Sequence, residues 1–284
     1  AFAAKEKRES SKLNLRINSF LIRHAHLKYD IRHYEDNESE ESSLFKHINI
    51  EDFSTHISLK ALTNDSISCI LRQLNFKDQS GLQVDDLYFR LVGNHHGATL
   101  ANFHLEMPHT SLRLDTIWAS YSPDRFAESL IVKGKVQPSY ITPQDLSSIV
   151  PEVKDVKERI HLTADFIGGL SQFNLKDLNV HTSNRDFEIQ ANGSSHIRGK
   201  NTDAIDINLQ RVLLSHNAWN ILETQLPNLY SSIPTEVTRL GKVEIKGDVS
   251  LNKAVSQIDL TAVTDAGTAK AKMQIDEGGR YTTY

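Results

Sequence analysis

Strand periodicity is clearest in residues 243–275, which have the sequence VEIKGDVSLNKAVSQIDLTAVTDAGTAKAKMQI. Apolar residues alternate with polar ones along this stretch, so that Val243 and Ile245 flank Glu244. Successive side chains of a β-strand point to opposite faces of a sheet, and the alternation therefore predicts strands with one apolar and one polar face. The turn signal TDAG at 264–267 predicts an antiparallel hairpin within the stretch.

The same alternation recurs over most of the chain, and turn signals separate its segments. Together they predict an all-β fold in which a long meander of antiparallel strands contains two short helices. The helices are predicted at Thr142 to Val150, before Pro151, and from Asn217 to about Tyr230. The alternating apolar positions include Leu13, Leu15 and Ile17; Phe53, Ile57 and Leu59; Ala101, Phe103, Leu105 and Met107; Ile205, Ile207 and Leu209.

An internal repeat suggests how the meander is divided. A short helix ending in proline is followed by a hairpin twice, in units predicted at 141–215 and 216–284. A first meander is predicted at 13–140, after a charged lead-in at 1–12. Within that meander, the acidic stretch EDNESEES at 35–42 has no apolar period and predicts a mobile loop.

The composition excludes several classes of protein. The 284 residues include 32 basic and 36 acidic side chains, without a basic stripe of the kind that binds nucleic acid. The single cysteine, Cys69, provides neither a disulfide framework nor a cysteine-rich metal site. No run of about 18 apolar residues occurs, so we expect that this segment does not span a membrane as a helix.

No motif of a catalytic centre is present. GxSxG, the P-loop and GxGxxG are all absent, and carboxylates cannot be paired across a site from the sequence. The histidine pairs lack the spacing of HExxH, and solvated imidazoles on turns or on the polar face explain them; these pairs are His24 and His26, His95 and His96, and His104 and His109. The sequence therefore predicts a non-enzymatic chain with no catalytic residue, no cofactor and no metal.

The apolar strand faces allow two interpretations. They can form the closed core of a β-sandwich, in which Trp118 and Phe166 are ordinary core residues, or they can line an open groove. Composition alone favours the sandwich, although an apolar fraction of 39% is low for one compact core and favours an elongated or one-sided surface.

Several stretches resemble TamB-type proteins of the AsmA-like superfamily, in the form found in Bacteroidota. The resemblance covers roughly residues 13–276 and rests on the order of strand patterns. The stretches are FKHINIEDFSTHISLKAL (45–62), LRQLNFKDQSGLQVDDLYFRL (71–91), LANFHLEMPHTSLRLD (100–115), ITPQDLSSIVPEV (141–153) and DLTAVTDAGTAKAKMQI (259–275).

The resemblance implies that the meander curls into an elongated open gutter, like a β-taco, with an apolar inside. It also implies that this chain is an internal segment of a long periplasmic protein, anchored in the inner membrane, which carries phospholipid between the inner and outer membranes. The interior of the gutter would shield acyl chains. On this basis the groove wall is predicted to include Leu112, Leu114, Trp118, Ile160, Leu162, Phe166, Val243, Ile245 and Val249.

Two other functions remain open. The resemblance also implies a scaffold role, in which exposed strand edges assist the translocation and assembly of outer-membrane barrel proteins. A polysaccharide-binding or adhesive β module is the third candidate, and it requires clustered exposed aromatic residues. Phospholipid and outer-membrane barrel proteins are thus the expected partners, and nucleic acid is not.

Overall fold

A computed structural model describes residues 13–30, 47–198, 201–252, 255–276 and 281–283. The predicted lead-in at 1–12 and the predicted acidic loop at 35–42 lie outside these residues. Within the described part of the chain, 17 strands form one antiparallel sheet, accompanied by four short α-helices. The predicted all-β, antiparallel meander is confirmed.

The strands follow one another along the chain with short connections. They are β1 (Asn14–Asp30), β2 (His47–Thr63), β3 (Ser66–Asp78), β4 (Gln83–Val84), β5 (Asp86–Asn94), β6 (Gly97–Met107), β7 (Thr110–Leu114), β8 (Ile117–Ser120), β9 (Ile131–Ile141), β10 (Ile160–Gly168), β11 (Gln172–Thr182), β12 (Phe187–Arg198), β13 (Asn201–Leu214), β14 (Val243–Asn252), β15 (Val255–Thr264), β16 (Gly267–Asp276) and β17 (Tyr281–Thr283).

The helical segments interrupt this succession at three places. The α-helices are α1 (Phe126–Ser129), α2 (His216–Gln225), α3 (Pro227–Ser231) and α4 (Thr235–Thr238). Three 3-10 turns accompany them, at Pro123–Arg125, Pro143–Leu146 and Pro151–Val153.

Almost every strand pairs with the next strand along the chain. The short strands β7 and β8 occupy one position together, between β6 and β9, and β4 pairs with the end of β3. Among the described residues β1 pairs with β2 alone and β17 with β16 alone, so the sheet does not close into a barrel. At about 4.8 Å per strand, the sheet extends about 70 Å from edge to edge.

The register separates the two faces as the alternation predicts. Val249 pairs with Ile258, which pairs with Met273, and these three side chains share one face. On the other face, Asp259 lies between Asp248 and Lys272. Side chains directly opposite each other in an antiparallel pair lie on the same side of the sheet, so the alternation along each strand continues across these strands as an apolar face and a polar face.

A line of β-bulges crosses the sheet from β6 to β13. Extra residues occur at Asn102 in β6, between Val136 and Ser139 in β9, at Asp177 in β11 and between Leu209 and Val212 in β13. Asn102 and Asp177 adopt the left-handed backbone conformation, with φ of 54° and 50°. Because a bulge bends its strand and increases the local twist, bulges aligned across neighbouring strands curve the whole sheet.

The structure does not form the sandwich that composition favours. Two packed layers would bury most inward-facing side chains of both, but most residues of the apolar face remain partly exposed. The apolar residues that are buried come from scattered strands, the α2 helix and one loop: Leu71, Val84, Met107, Val156, Ala164, Ala191, Leu213, Ala218, Trp219 and Val243. The result is an elongated, single-layered sheet whose apolar face stays open.

The two longest insertions lie on the same rim of the sheet. Strands β9 and β13 run in the same direction, so the segments that follow them, 142–159 and 215–242, both leave the sheet at one edge of the strands. Trp219 fastens the second insertion by donating its indole N–H to the carbonyl of Gly241 at 2.6 Å. Both insertions therefore leave the sheet at the same ends of its strands. Neither one interrupts the pairing between neighbouring strands.

The helix predicted at Thr142 to Val150 is wrong: this segment contains one 3-10 turn, Pro143–Leu146, and a second, Pro151–Val153, follows it. The N–H of Asp145, for example, donates to the carbonyl of Thr142, three residues earlier. Pro143 and Pro151 leave too few residues between them for a stable α-helix, and Pro151 also disfavours the helical conformation at Val150. The second predicted helix divides into α2 and α3 because Pro227 lacks the N–H that would continue α2.

We expect Gly247→Ala to destabilise the sheet. Gly247 has φ of 141°, and a Cβ there would lie 2.0 Å from the carbonyl oxygen of Asp259. The left-handed strain alone costs about 1–3 kcal/mol, so we expect the free energy of unfolding in urea to fall by at least about 2 kcal/mol. Gly193→Ala is the matched control, because a Cβ there would meet no atom nearer than 3.4 Å. Equal urea midpoints for the two variants would contradict this backbone account.

Candidate apolar ligand-binding face

Eight of the nine predicted wall residues lie on the same face of the sheet. Leu114 pairs with Val136 of β9, which pairs with Ala164 of β10, and this row carries the face from β7 into β10. The eight residues are Leu112 and Leu114 in β7, Ile160, Leu162 and Phe166 in β10, and Val243, Ile245 and Val249 in β14. We call the apolar face of strands β5 to β16 the apolar trough.

Strands β11 to β13 join these residues into a continuous surface. Ile189 pairs with Val180 on one side and with Val212 on the other, and Val212 pairs with Ile245 of β14. Further members are Leu175, Leu178, Ile205, Ile207, Leu209, Ile258, Leu260 and Met273. The sequence alternation predicts several of these as apolar positions, but only the register shows that they share one face.

The trough carries no charge along its centre. None of the register-paired positions on this face of β10 to β14 holds an Asp, Glu, Lys or Arg. Val243 is buried and the other seven predicted residues are half-buried, although no second layer of strands covers them. An uncharged, continuous and uncovered apolar surface of this length is characteristic of a binding site.

The prediction for Trp118 is wrong. Trp118 pairs with Thr99 and Lys133, which belong to the polar face, and its side chain is 50% exposed. Its neighbours Ile117 and Ala119 are the residues of β8 that face the trough, since Ala119 pairs with Val132. The alternation in this short strand could be counted from either residue, and the register with β9 decides between them.

Charged residues on the polar face pair with one another across strands. Glu188 is fully buried and accepts hydrogen bonds from Arg185 at 2.7 Å and Arg211 at 3.1 Å. Arg211 also reaches Glu244. A hydrogen bond from Lys246 lowers the pKa of Glu244, burial acts against this effect, and the charge of Arg211 lowers the pKa further. This network fixes β12, β13 and β14 to one another on the side opposite the trough.

Two stacked imidazoles occupy another part of the polar face. The rings of His161 and His181 lie 4.9 Å apart at an angle of 13°. Burial lowers the pKa of His161, and the charges of His181 and Arg159 lower it further. The neutral form of His161 is thereby favoured, as expected for a packed side chain on the outside of the sheet.

A metal site and a membrane-spanning helix each place specific requirements on the described residues. No group of three or more His, Cys, Asp or Glu among them is arranged to hold a metal ion. Cys69 of β3 pairs with Leu91 of β5 and so lies on the same face of the sheet as the trough, and burial raises the pKa of its thiol. None of the helices in the described segments is long and apolar enough to cross a membrane.

Comparison with known proteins gives no relative: no family model, no curated protein and no solved structure matches the chain.

We expect Leu162→Asp to weaken the binding of an apolar fluorescent probe such as N-phenyl-1-naphthylamine. Leu162 lies at the centre of the trough, and a carboxylate there would have to be desolvated beneath the bound probe. Thr163→Asp adds the same charge one residue away on the polar face. Fluorescence titration should show at least about a tenfold loss for Leu162→Asp and little change for Thr163→Asp. Equal affinities would mean that the probe binds elsewhere.

Glu188→Gln should destabilise the fold without changing probe binding per folded molecule. Glu188→Gln removes the buried charge that pairs with both Arg185 and Arg211, and leaves Arg211 with the longer contact to Glu244. We therefore expect a loss of at least about 2 kcal/mol in the free energy of unfolding. The control is Asp259→Asn, which removes an exposed pair with Lys272 and should cost less than about 1 kcal/mol. Similar losses in urea denaturation would argue against a special role for the buried carboxylate.

Proposed function

We propose that this chain shields the acyl chains of phospholipid in the apolar trough while the head groups remain in water. The observation that supports this most directly is the continuity of an uncharged, uncovered apolar face from β5 to β16. Removing each CH₂ group of an acyl chain from water is worth about 0.8 kcal/mol, so a row of aliphatic side chains can retain a lipid without directional bonds. No chemical step is required.

The shape of the site suits movement along the sheet. The trough crosses many strands without a charged side chain at its centre, so an acyl chain can pass from one strand to the next with little change in free energy. The polar face keeps the outside of the sheet in water through paired charges such as Lys272 and Asp259. A lipid held in this way needs neither a closed cavity nor a cofactor.

The resemblance to TamB-type proteins suggests a cellular location and partners for the proposed function. We propose on this basis that the chain is an internal segment of a longer periplasmic protein. That protein is anchored in the inner membrane and carries phospholipid to or from the outer membrane. Its other partners are then outer-membrane barrel proteins of the assembly machinery. The chain is non-enzymatic in this proposal and binds no cofactor.

A second function has a specific observation in its favour. Strand β1 spans 17 residues and pairs on one side with β2, and its other side is unpaired among the described residues. Exposed Leu15, Phe20 and Leu27 accompany this edge. An edge of this length can add a strand from a client protein, which is the chemistry of a scaffold for outer-membrane barrel assembly.

Site-specific photocrosslinking distinguishes the trough from the rest of the surface. Benzoylphenylalanine at Leu114 or Phe166 should capture phospholipid from labelled vesicles or cells. The same group at Arg113 or Asp165, which are adjacent in sequence but on the polar face, should not. Equal labelling at all four positions, or none at Leu114 and Phe166, would contradict lipid binding. Capture of barrel proteins by β1 without any lipid would favour the scaffold function.

A further inference from the structure

The described part of the polar face carries an apolar patch that the trough does not explain. Val92, Trp118, Ile131 and Ile167 have exposed fractions of 41%, 50%, 50% and 42%. The register gathers them on neighbouring strands: Val92 pairs with Thr99, Thr99 with Trp118, and Lys133 with both Trp118 and Ile167. From Val92 to Ile167 this Trp118 patch extends about 19 Å, four strand spacings.

A shallow cleft of about 790 Å³ lies over the Trp118 patch. The small residues of β6 form its floor, because Gly97 and Thr99 lie between the larger side chains of β5 and β8. A side chain at Gly97 would collide with the carbonyl oxygen of Ala119, so the floor cannot be raised without moving the strand. The polar residues that line the cleft include Ser68, Asn94, Ser120 and Lys133.

Most of the described polar side chains around the cleft have no partner, although Oδ1 of Asn94 accepts a hydrogen bond from the backbone N–H of His96 at 2.8 Å. Elsewhere, Lys135 pairs with Asp165 at 3.2 Å, Asn208 donates to Asp248 at 2.7 Å and Ser250 donates to Asp206 at 2.6 Å. Within the described residues, the side chains of Ser68, Thr99, Ser120 and Lys133 make no hydrogen bond or ion pair with another group, and neither does the indole N–H of Trp118. The cleft therefore presents donors and acceptors that are free to meet a ligand.

We propose that the Trp118 patch is a carbohydrate-binding site. A sugar ring combines an apolar C–H face with a rim of hydroxyl groups, and the cleft combines an exposed indole with unpaired hydroxyl and ammonium groups. An indole supplies a rigid apolar surface with one N–H donor at its edge, and few polar groups suffice to orient a ligand in such a cleft. The site lies on the opposite face from the trough and can be occupied independently of lipid.

Two-dimensional NMR of the indole N–H groups tests the site directly. The chain has two tryptophans, of which Trp219 is buried and bonded to Gly241 and serves as an internal control. The chain is titrated at millimolar concentration with hexasaccharides from cellulose, chitin and polygalacturonate. At least one should shift the signal of Trp118 in a saturable manner and leave that of Trp219 in place. Trp118→Ala should weaken binding at least about tenfold.

The controls separate this site from the trough and from association of the chain. Val263→Ala removes another exposed apolar side chain of the polar face, distant from the cleft, and should leave sugar affinity unchanged. Trp118→Ala should leave phospholipid crosslinking at Leu114 unchanged. The proposal is wrong if no hexasaccharide shifts the Trp118 signal, if lipid micelles shift it instead, or if it shifts with protein concentration alone, which would identify a surface for a second copy.

Discussion

The structure depends on period-two alternation of apolar and polar residues in a sheet that has no second layer. In a sandwich, the apolar face of each sheet is buried against the other sheet, and only the outer faces contact solvent or partners. Here no second sheet lies opposite the apolar side chains of β10 to β14 in the described part of the chain. Exposure of that face to water is unfavourable, and the apolar ligand that we propose would relieve it. In that proposal, folding and binding depend on the same surface.

The bulges in the backbone curve the sheet, and ion pairs on the polar face keep its strands in register. The aligned bulges at Asn102, Asp177 and their counterparts in β9 and β13 bend successive strands at the same level. On the outside, the buried Glu188 and its two arginines hold β12 to β14 in register. A shift by one residue would exchange the two faces, so this network also protects the continuity of the trough.

Much of this arrangement could be predicted from the sequence, and the remainder could not for identifiable reasons. The long alternating runs predict both the strands and their faces, and eight of the nine predicted wall residues lie on one face. Trp118 was misassigned because β8 is four residues long and its phase is set by pairing with β9. The segment at Thr142 to Val150 was predicted as a helix from its proline and apolar spacing, but two prolines restrict it to 3-10 turns. The bulges leave no clear sequence signal, since they depend on both strands of each pair.

Paramagnetic broadening by a phospholipid that carries a nitroxide on its acyl chain tests the central claim most directly. Methyl-labelled protein gives a separate signal for each Leu, Ile and Val. The account predicts that the methyl signals of Leu162, Leu209 and Ile245, in the trough, broaden strongly, and that those of Val92 and Val263, on the polar face, do not. Equal broadening on both faces, or broadening confined to the polar face, would contradict an apolar trough that holds acyl chains.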